Sequence, residues 1–414
     1  MHRSVASLAF ICSTILVAPA LATRAIAQEP PAPPPETKVD ASRGGLTVSS
    51  GVNSLTIGAR MQFRWTLDDR EQASGDTAGD GINAVDGSLS QFDIPRMRVS
   101  FTGGAFRPWL RYAFQFDFSR TSGESASKIK DALIEIRPVG RNYRITAGQF
   151  KAPFGLQQLT SSGRLQFVDR AVTDGKFNPG RDVGVMFSGT LAGRKVGYDG
   201  GVFNGAGESV RQNNGAHLWA GRIYVQPLGV YALSEGSTDA GPSVLHLGLG
   251  ARGGKQIRGR TTAGVIDDPD NQTAFNAEFA FKASRIFVTA EHFWMTDEQE
   301  NPVRADDVRS RGFHAQAGYM VIPRRAEVGL LIARVSPDTD VDDADLSEVR
   351  GVLGYYMQGH SLKLQGDAGA VRYDANFGGL SVRARQGLPP LGLRLLSGQQ
   401  FTDTQVRIQL QLAF

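Results

Sequence analysis

The sequence predicts an all-β fold, a 16-stranded antiparallel transmembrane β-barrel with an inward-folded third loop. Three observations in the 414 residues predict it. Sixteen segments alternate polar and apolar side chains with a period of two, and short and long connections follow one another between them. On strand after strand the polar side carries charged groups, which a dry protein core does not tolerate without pairing.

The chain begins with the features of a secretory signal peptide. A positively charged start and an apolar run over 6–21 precede Ala25-Ile26-Ala27, a cleavage site of the A-x-A type. We therefore expect residues 1–27 to be removed, since Pro19 and the short apolar run argue against a retained membrane anchor. Cys12, the single cysteine, leaves with the signal, so the mature chain has neither disulfides nor cysteine-ligated metal.

A proline-rich linker is expected next, over residues 28–44. Five prolines lie between Glu29 and Glu36, and such a composition favours extended polyproline geometry over a packed core. The barrel domain is then predicted over 45–414. Without Arg3 and Arg24 the mature chain has 43 Lys and Arg against 41 Asp and Glu. For a secreted chain this near balance argues against nucleic-acid binding.

The last ten residues give the clearest strand pattern. From Val406 to Phe414 every second residue is apolar, whereas the residues between are Arg407, Gln409, Gln411 and Ala413. About ten residues also suffice for a tilted strand to cross a bilayer. The sixteen predicted segments lie near 55–66, 94–103, 109–119, 128–137, 142–150, 182–191, 195–204, 217–226, 243–252, 274–283, 285–296, 311–321, 326–335, 348–358, 360–370 and 405–413.

The connections alternate in length, as they do in outer-membrane barrels. The short ones are 104–108, 138–141, 192–194, 284 and 322–325, and the long ones are 67–93, 151–181, 253–273, 297–310 and 371–404. The segment 227–242 is longer than its place in this order predicts.

A soluble β-sandwich is the alternative fold with the same alternation. Its inner face would have to bury Arg, Gln, Asp and Glu on many strands, at several kcal/mol for each unpaired charge. A wet lumen removes that cost, and closure satisfies the backbone hydrogen bonds within lipid. No run of about 20 apolar residues follows residue 30, which excludes a helical membrane protein.

Acidic residues concentrate in the connections predicted to lie outside. The segments 67–93, 253–273, 297–310 and 336–347 hold 20 of the 41 acids. Solvated loops explain this, and a divalent-ion bridge to lipopolysaccharide is the sharper alternative. Outer-membrane lipid and lipopolysaccharide are therefore expected partners.

The inward faces of the first three predicted strands are basic instead. They carry Arg60, Arg64, Arg96, Arg98 and Arg111. Rings of Arg or Lys select anions in pores, and the planar guanidinium suits oxyanions because it donates two parallel hydrogen bonds. Asp117 lies beside them, where it could orient an arginine or keep anions from binding too tightly. The alternative is a transverse field across a general porin without ion preference.

The long connection 151–181 is expected to fold into the barrel and narrow it. It has apolar residues of its own, so it needs a surface to pack against. It would also add basic groups opposite the arginines of the strands, namely Lys151, Arg164, Arg170, Lys176 and Arg181.

At this point the sequence resembles the phosphate-selective porin O/P family. The resemblance runs from about residue 45 to Phe414 and is carried by Phe92–Phe101, Ala147–Leu156, Leu159–Ser162 and Pro179–Val185. It implies a sixteen-stranded homotrimer with an inward third loop and basic residues that bind phosphate or polyphosphate. It also implies pore roles for Arg96, Asp117, Ser161, Ser162 and Arg164. The chain departs from the phosphate-specific pattern of two adjacent basic residues, because Pro95 precedes Arg96.

We therefore expect an outer-membrane porin for passive diffusion of small anions, with inorganic phosphate or polyphosphate as the solute, and no cofactor or metal. A general or organic-anion porin of the same fold is the first alternative. An outer-membrane enzyme would need a nucleophile and a base, but the five histidines after the signal are scattered without a recognisable spacing. A structural or adhesive barrel would instead have a plugged lumen.

Overall fold

The structure, a computed structural model, describes residues 36–414 apart from 42–43, 72–86, 120–127, 211–214, 239–240, 256–270, 299–306, 393 and 395–397. The predicted signal peptide, 1–27, lies outside these residues, so its cleavage stays a prediction. Thr37–Asp40, within the predicted linker, forms a short strand that pairs with Leu46–Ser50.

The described residues form eighteen strands and three short α-helices. The strands are β1 Thr37–Asp40, β2 Leu46–Ser50, β3 Asn53–Asp69, β4 Ser88–Gly104, β5 Leu110–Asp117, β6 Lys128–Ile136, β7 Tyr143–Lys151, β8 Arg181–Leu191, β9 Val196–Phe203, β10 Leu218–Val225, β11 Val244–Lys255, β12 Asn271–Ala283, β13 Ile286–Glu298, β14 Val308–Ile322, β15 Ala326–Ser336, β16 Leu346–Gln358, β17 Leu362–Tyr373 and β18 Phe401–Ala413. The helices are α1 Leu156–Leu159, α2 Thr173–Phe177 and α3 Val382–Arg385, and 3₁₀ turns cover Ser162–Arg164, Ala192–Arg194 and Ala375–Gly379.

Strands β3 to β18 close into a sixteen-stranded antiparallel barrel, which confirms the predicted fold class. Each strand pairs with the next in sequence, and β18 returns to β3 with the register Thr404↔Asp69 to Ala413↔Arg60. Each of the sixteen predicted segments overlaps one of these strands. The hairpin β1–β2 was not predicted; β2 pairs with β3 where β18 has ended, at Leu46↔Ile57.

The two faces of the strands differ as the alternation predicts. On β18, Ile408 and Leu410 are 46% and 43% exposed on the outer face, whereas Gln409 and Gln411 are 1% exposed in the lumen. Apolar side chains outside and polar ones inside are the arrangement that lipid and a polar lumen require. No helix among the described residues is long and apolar enough to cross a bilayer.

Several strands extend beyond their predicted ends, β3 and β4 by the most residues, which corrects the acidic segment 67–93. β3 and β4 have 17 residues each. Asp68, Asp69 and Asp93 therefore lie on strands, paired in the β3–β4 ladder, rather than in a loop. In both strands the backbone pairing continues beyond the residues whose side chains alternate between polar and apolar. A prediction from alternation therefore ends these strands too early. Asp76, Asp80 and Asp86 lie outside the described residues.

The long connection between β7 and β8 lies inside the barrel, as predicted. Phe154, Phe167 and Val168 are at most 1% exposed. The carboxylate of Glu291 on β13 accepts hydrogen bonds from the backbone N–H groups of Leu156 and Gln157, both at 2.7 Å. We call residues 152–180 the inward loop.

Two further connections also enter the lumen, which the sequence did not reveal. In 226–243, Glu235 is 2% exposed and accepts hydrogen bonds from Gln166 N and Gln316 Nε2, both at 2.8 Å. This connection is the one that is longer than the alternation of short and long connections predicts. In 374–400, the backbone of Gly387 lies so close to Gly175 that a Cβ on Gly175 would be 2.1 Å from the Gly387 oxygen. Both positions therefore require glycine.

Candidate functional site

The entering segments contact the lumen side of strands β11, β13, β14, β15 and β17. There, polar side chains are buried against the inward loop; Gln316 and Glu327 are at most 2% exposed, and Gln166 Nε2 donates to Glu327 at 2.9 Å. The remaining space forms two cavities. The outer cavity, about 490 Å³, lies toward the long connections, and the inner cavity, about 550 Å³, lies toward the short ones.

The two cavities differ in charge. Among the described residues, the outer cavity is lined by five cationic side chains, Arg70, Arg96, Arg170, Arg350 and Arg407, and by five carboxylates, Asp68, Asp169, Asp174, Glu348 and Asp403. The inner cavity is lined by seven cationic side chains, Arg96, Arg98, Lys130, Arg144, Lys151, Arg170 and Arg181, and by three carboxylates, Asp131, Glu135 and Asp174. The basic excess is therefore confined to the inner cavity.

Arg96, Arg170 and Asp174 line both cavities, so the cavities adjoin at these residues. Arg96 comes from the barrel wall, whereas Arg170 and Asp174 come from the inward loop. Arg170 Nε is 3.8 Å from Asp174 Oδ1.

Two serines of the inward loop accept hydrogen bonds from arginines of the wall. Arg60 donates to Ser161 Oγ at 3.0 Å and to Ser162 Oγ at 3.2 Å. Arg98 Nη1 also lies 3.4 Å from Ser162 Oγ. A Cβ at Gly163 would be 2.3 Å from Arg60 Nη1, so glycine permits this close approach. The resemblance implied pore roles for both serines, and the structure shows that they contact Arg60 and Arg98.

Asp117 orients Arg98. The Arg98 Nε donates to Asp117 Oδ2 at 2.7 Å, and the other oxygen, Oδ1, accepts from Ser119 Oγ at 2.7 Å. The register pairs the two residues across β4 and β5. A carboxylate held on both oxygens fixes the guanidinium in one orientation beside the inner cavity.

Lys151 and Arg170 are held by neutral carbonyl groups. Lys151 Nζ donates to the backbone oxygens of Gln158, Leu159 and Thr160 at 2.5, 3.2 and 3.1 Å. Arg170 donates to Thr160 O at 2.7 Å. Arg181, by contrast, is paired with Asp131 at 2.9 Å. The bonds of Lys151 thus go to neutral carbonyl groups, whereas Arg170 also lies 3.8 Å from the carboxylate of Asp174.

Two predicted site residues stand apart from this group. Arg111 is exposed near the short connections and lines neither cavity, and its register partner is Glu135. Arg164 is exposed in the inward loop and lines neither cavity. Arg60 and Arg64 also line neither cavity; they act on the loop through Ser161, Ser162 and Asp169.

The sequence did not identify Asp169 and five basic residues as part of the site. Asp169 contacts Arg64, Arg96 and Arg407, at 2.8, 2.7 and 3.2 Å. The five basic residues are Arg70, Arg350 and Arg407 in the outer cavity and Lys130 and Arg144 in the inner one. For Arg407 the sequence held a signal, because closure of the barrel makes the last strand a neighbour of the first.

The histidines have structural contacts. His246 Nε2 is 3.0 Å from Glu278, His314 Nδ1 is 2.7 Å from Thr173 Oγ1, and His360 Nε2 is 3.0 Å from the Glu235 backbone oxygen. Among the described residues, no group of three or more His, Cys, Asp and Glu has an arrangement that could hold a metal ion.

The fold is similar to those of solved porins. An anion-selective porin from Comamonas acidovorans aligns with a TM-score of 0.57 and 12% identity over 87% of this chain and 100% of that one. The outer-membrane channel DcaP of Acinetobacter baumannii aligns with 0.54 and 12% over 87% and 97%, and the trimer form of OmpT from Vibrio cholerae with 0.52 and 9% over 86% and 99%. At such identities the likeness shows the fold alone.

The sequence comparison identifies the family. No curated protein sequence matches the chain significantly. A family model described as phosphate-selective porin O and P matches residues 67–329, more than half of the chain. The chain therefore belongs to the phosphate-selective porin O and P family, and it is an outer-membrane channel rather than an enzyme.

Proposed function

We propose that this porin lets small anions, phosphate or polyphosphate among them, diffuse passively through a pore lined by Arg and Lys. The ion path runs from the outer cavity, past Arg96, Arg170 and Asp174, into the inner cavity. One observation carries the proposal: seven cationic side chains against three carboxylates line the inner cavity. A passing anion exchanges hydration water for the hydrogen bonds of these donors, whereas a cation meets an excess of like charge.

The carboxylates along this path support passage rather than trapping. Asp117 holds Arg98, Asp131 holds Arg181, and Asp174 lies beside Arg170. Conduction needs binding that is favourable enough for entry and weak enough for release. Carboxylates beside the guanidinium groups lower the affinity for a solute anion, so it leaves as well as enters.

A general or organic-anion porin is the second candidate. The equal numbers of cationic and anionic side chains in the outer cavity favour it, since they give that entrance no preference by charge. Pro95, which stands where phosphate-specific members carry a basic residue, favours it as well. Binding of phosphate in the inner cavity distinguishes the two candidates.

We expect inorganic phosphate to reduce the chloride conductance at concentrations well below that of chloride. Phosphate offers several oxygens to neighbouring arginines, whereas chloride offers a single acceptor. The measurement is a titration of phosphate into a KCl solution around single channels in a planar bilayer, with sulfate as the comparison anion. A chloride current that phosphate leaves unchanged would support the general anion porin instead.

Three further features belong to the same proposal. The signal sequence is cleaved after Ala27, the porin assembles as a homotrimer, and its outer acidic residues contact lipopolysaccharide through divalent ions. The trimer form of OmpT, which shares the fold, supports the second feature. Residues 338–345, which include five acids, support the third.

A further inference from the structure

Three arginines converge on the side chain of Asp169. Its Oδ2 lies 2.8 Å from Arg64 Nη1 and 3.2 Å from Arg407 Nη1, and its Oδ1 lies 2.7 Å from Arg96 Nη2. These arginines come from β3, β18 and β4, three neighbouring strands of the wall, and we call them the arginine triad. Their side chains are 12%, 8% and 17% exposed, whereas that of Asp169 is 28% exposed and lines the outer cavity. Asp169 therefore shares the wall of the outer cavity with Arg96 and Arg407, whereas Arg64 does not line that cavity.

Asp169 supplies the charge that the triad lacks. Arg407 has a second carboxylate partner, because it donates two hydrogen bonds of 2.7 Å to Asp367. The other bonds of Arg64 and Arg96 go to the neutral amide oxygens of Gln409 and Gln62. Among the described residues, Asp169 is the only carboxylate within ion-pair distance of Arg64 or Arg96. Without it, the partly buried guanidinium groups of Arg64 and Arg96 would lose their carboxylate partner.

The carboxylate is ionised at neutral pH. Burial raises the pKa of Asp169, but the positive charges of Arg96, Arg64 and Arg407 outweigh burial and lower that pKa below its ordinary range. A planar group with two oxygens, each bonded to a different guanidinium, is the ligand that the triad holds. A carboxylate from solution has the same two oxygens in the same plane.

We propose that the arginine triad is a binding site for small carboxylates, and that Asp169 occupies it as a tethered ligand with which permeating carboxylates exchange. The exchange rests on the proposed function, since it requires anions to pass through the outer cavity. A ligand tethered to the same chain competes at an effective concentration of at least about the millimolar range. Asp169 therefore keeps the site from retaining a solute, and organic carboxylates are the substrates that it admits.

The test measures how acetate changes the chloride conductance of single channels. In wild type the tethered carboxylate competes with acetate. In Asp169→Ala the site is vacant, and we expect the acetate concentration for half-maximal effect to fall at least about tenfold, since a charge-assisted competitor has been removed. Asp68→Ala is the matched control. It removes a carboxylate from the same cavity, but Asp68 lies beside Arg70, at 3.6 Å, rather than beside the triad.

A second variant and a second anion complete the design. Asp169→Asn keeps the size of the side chain and one hydrogen-bond acceptor, so it serves even if the alanine variant disturbs the loop. Its acetate concentration for half-maximal effect should lie between those of wild type and Asp169→Ala. Phosphate is titrated in parallel, and its concentration for half-maximal effect should fall less than that of acetate when Asp169 is replaced. Three results would overturn the proposal. The first is an acetate concentration for half-maximal effect that is equal in wild type and both Asp169 variants. The others are a fall of the same size in Asp68→Ala, or an equal fall for phosphate. The proposed function fails on a different result, a wild-type pore without anion preference, which is read in KCl before any acetate is added.

Discussion

Replacing Arg96 and Arg98 together with glutamate is expected to abolish or invert the preference for anions. The lining of the inner cavity would change from seven cationic and three anionic side chains to five of each. A unit charge about 4 Å from an ion contributes about 1 kcal/mol even at the dielectric constant of water, and four charge units change here. We therefore expect the ratio of anion to cation permeability to fall at least about tenfold.

The measurement is the zero-current potential across a bilayer that separates two KCl concentrations. Two variants control it. Arg96→Gln with Arg98→Gln removes the positive charges without adding negative ones, so its potential should lie between those of the other two proteins. Arg309→Glu with Arg311→Glu makes the same charge change on exposed residues outside the lumen and should behave as wild type. If the lumen variant keeps the wild-type potential, this part of the inner cavity is not on the ion path.

The second large effect is expected from Glu291→Ala, which removes an anchor of the inward loop. The carboxylate accepts hydrogen bonds from Leu156 N and Gln157 N at 2.7 Å, in a buried position. A buried N–H group without a partner costs about 1–3 kcal/mol, so the variant loses about 2–6 kcal/mol of loop docking. The loop should leave its place in part of the molecules, which opens the lumen and raises the single-channel conductance.

Single-channel recording together with limited proteolysis checks this expectation. Glu298→Ala is the matched control, because Glu298 lies at the exposed end of the same strand, β13, away from the inward loop. A higher conductance with a weaker anion preference is the predicted result, because the lumen is wider while the basic residues of the wall stay in place. A Glu291→Ala channel with wild-type conductance, and a loop that stays resistant to protease, would show that other contacts are sufficient to dock it.

The barrel was predictable because the environment on the two sides of each strand determines the order of polar and apolar residues along that strand. Lipid on one face and a polar lumen on the other impose alternation on every strand, so the pattern of β18 can be read without any other part of the chain. The ends of β3 and β4 were not predictable in this way. They extend beyond the alternating part, where Asp68 and Asp93 are held by the backbone ladder rather than by a side-chain pattern.

The site residues were predictable only where the alternation within a single strand determines which way a side chain points. The inward position of Arg96 and Arg98 follows from the alternation of β4, and their exposure to the inner cavity agrees with it. The charge balance did not follow, because it depends on contacts between distant segments. Asp169 gathers arginines from three strands, and the Gly175–Gly387 contact joins two loops. A sequence pattern within one segment predicts neither contact, because each contact joins residues that are far apart in the sequence.

The most direct test of the central claim is the zero-current potential of the wild-type channel in a KCl gradient. If the cationic lining of the inner cavity governs permeation, chloride carries most of the current, and the potential takes the sign of an anion-selective pore. That preference should weaken as the salt concentration rises, because ions screen the lining charges. A potential near zero, or one of the sign given by potassium, would contradict the account.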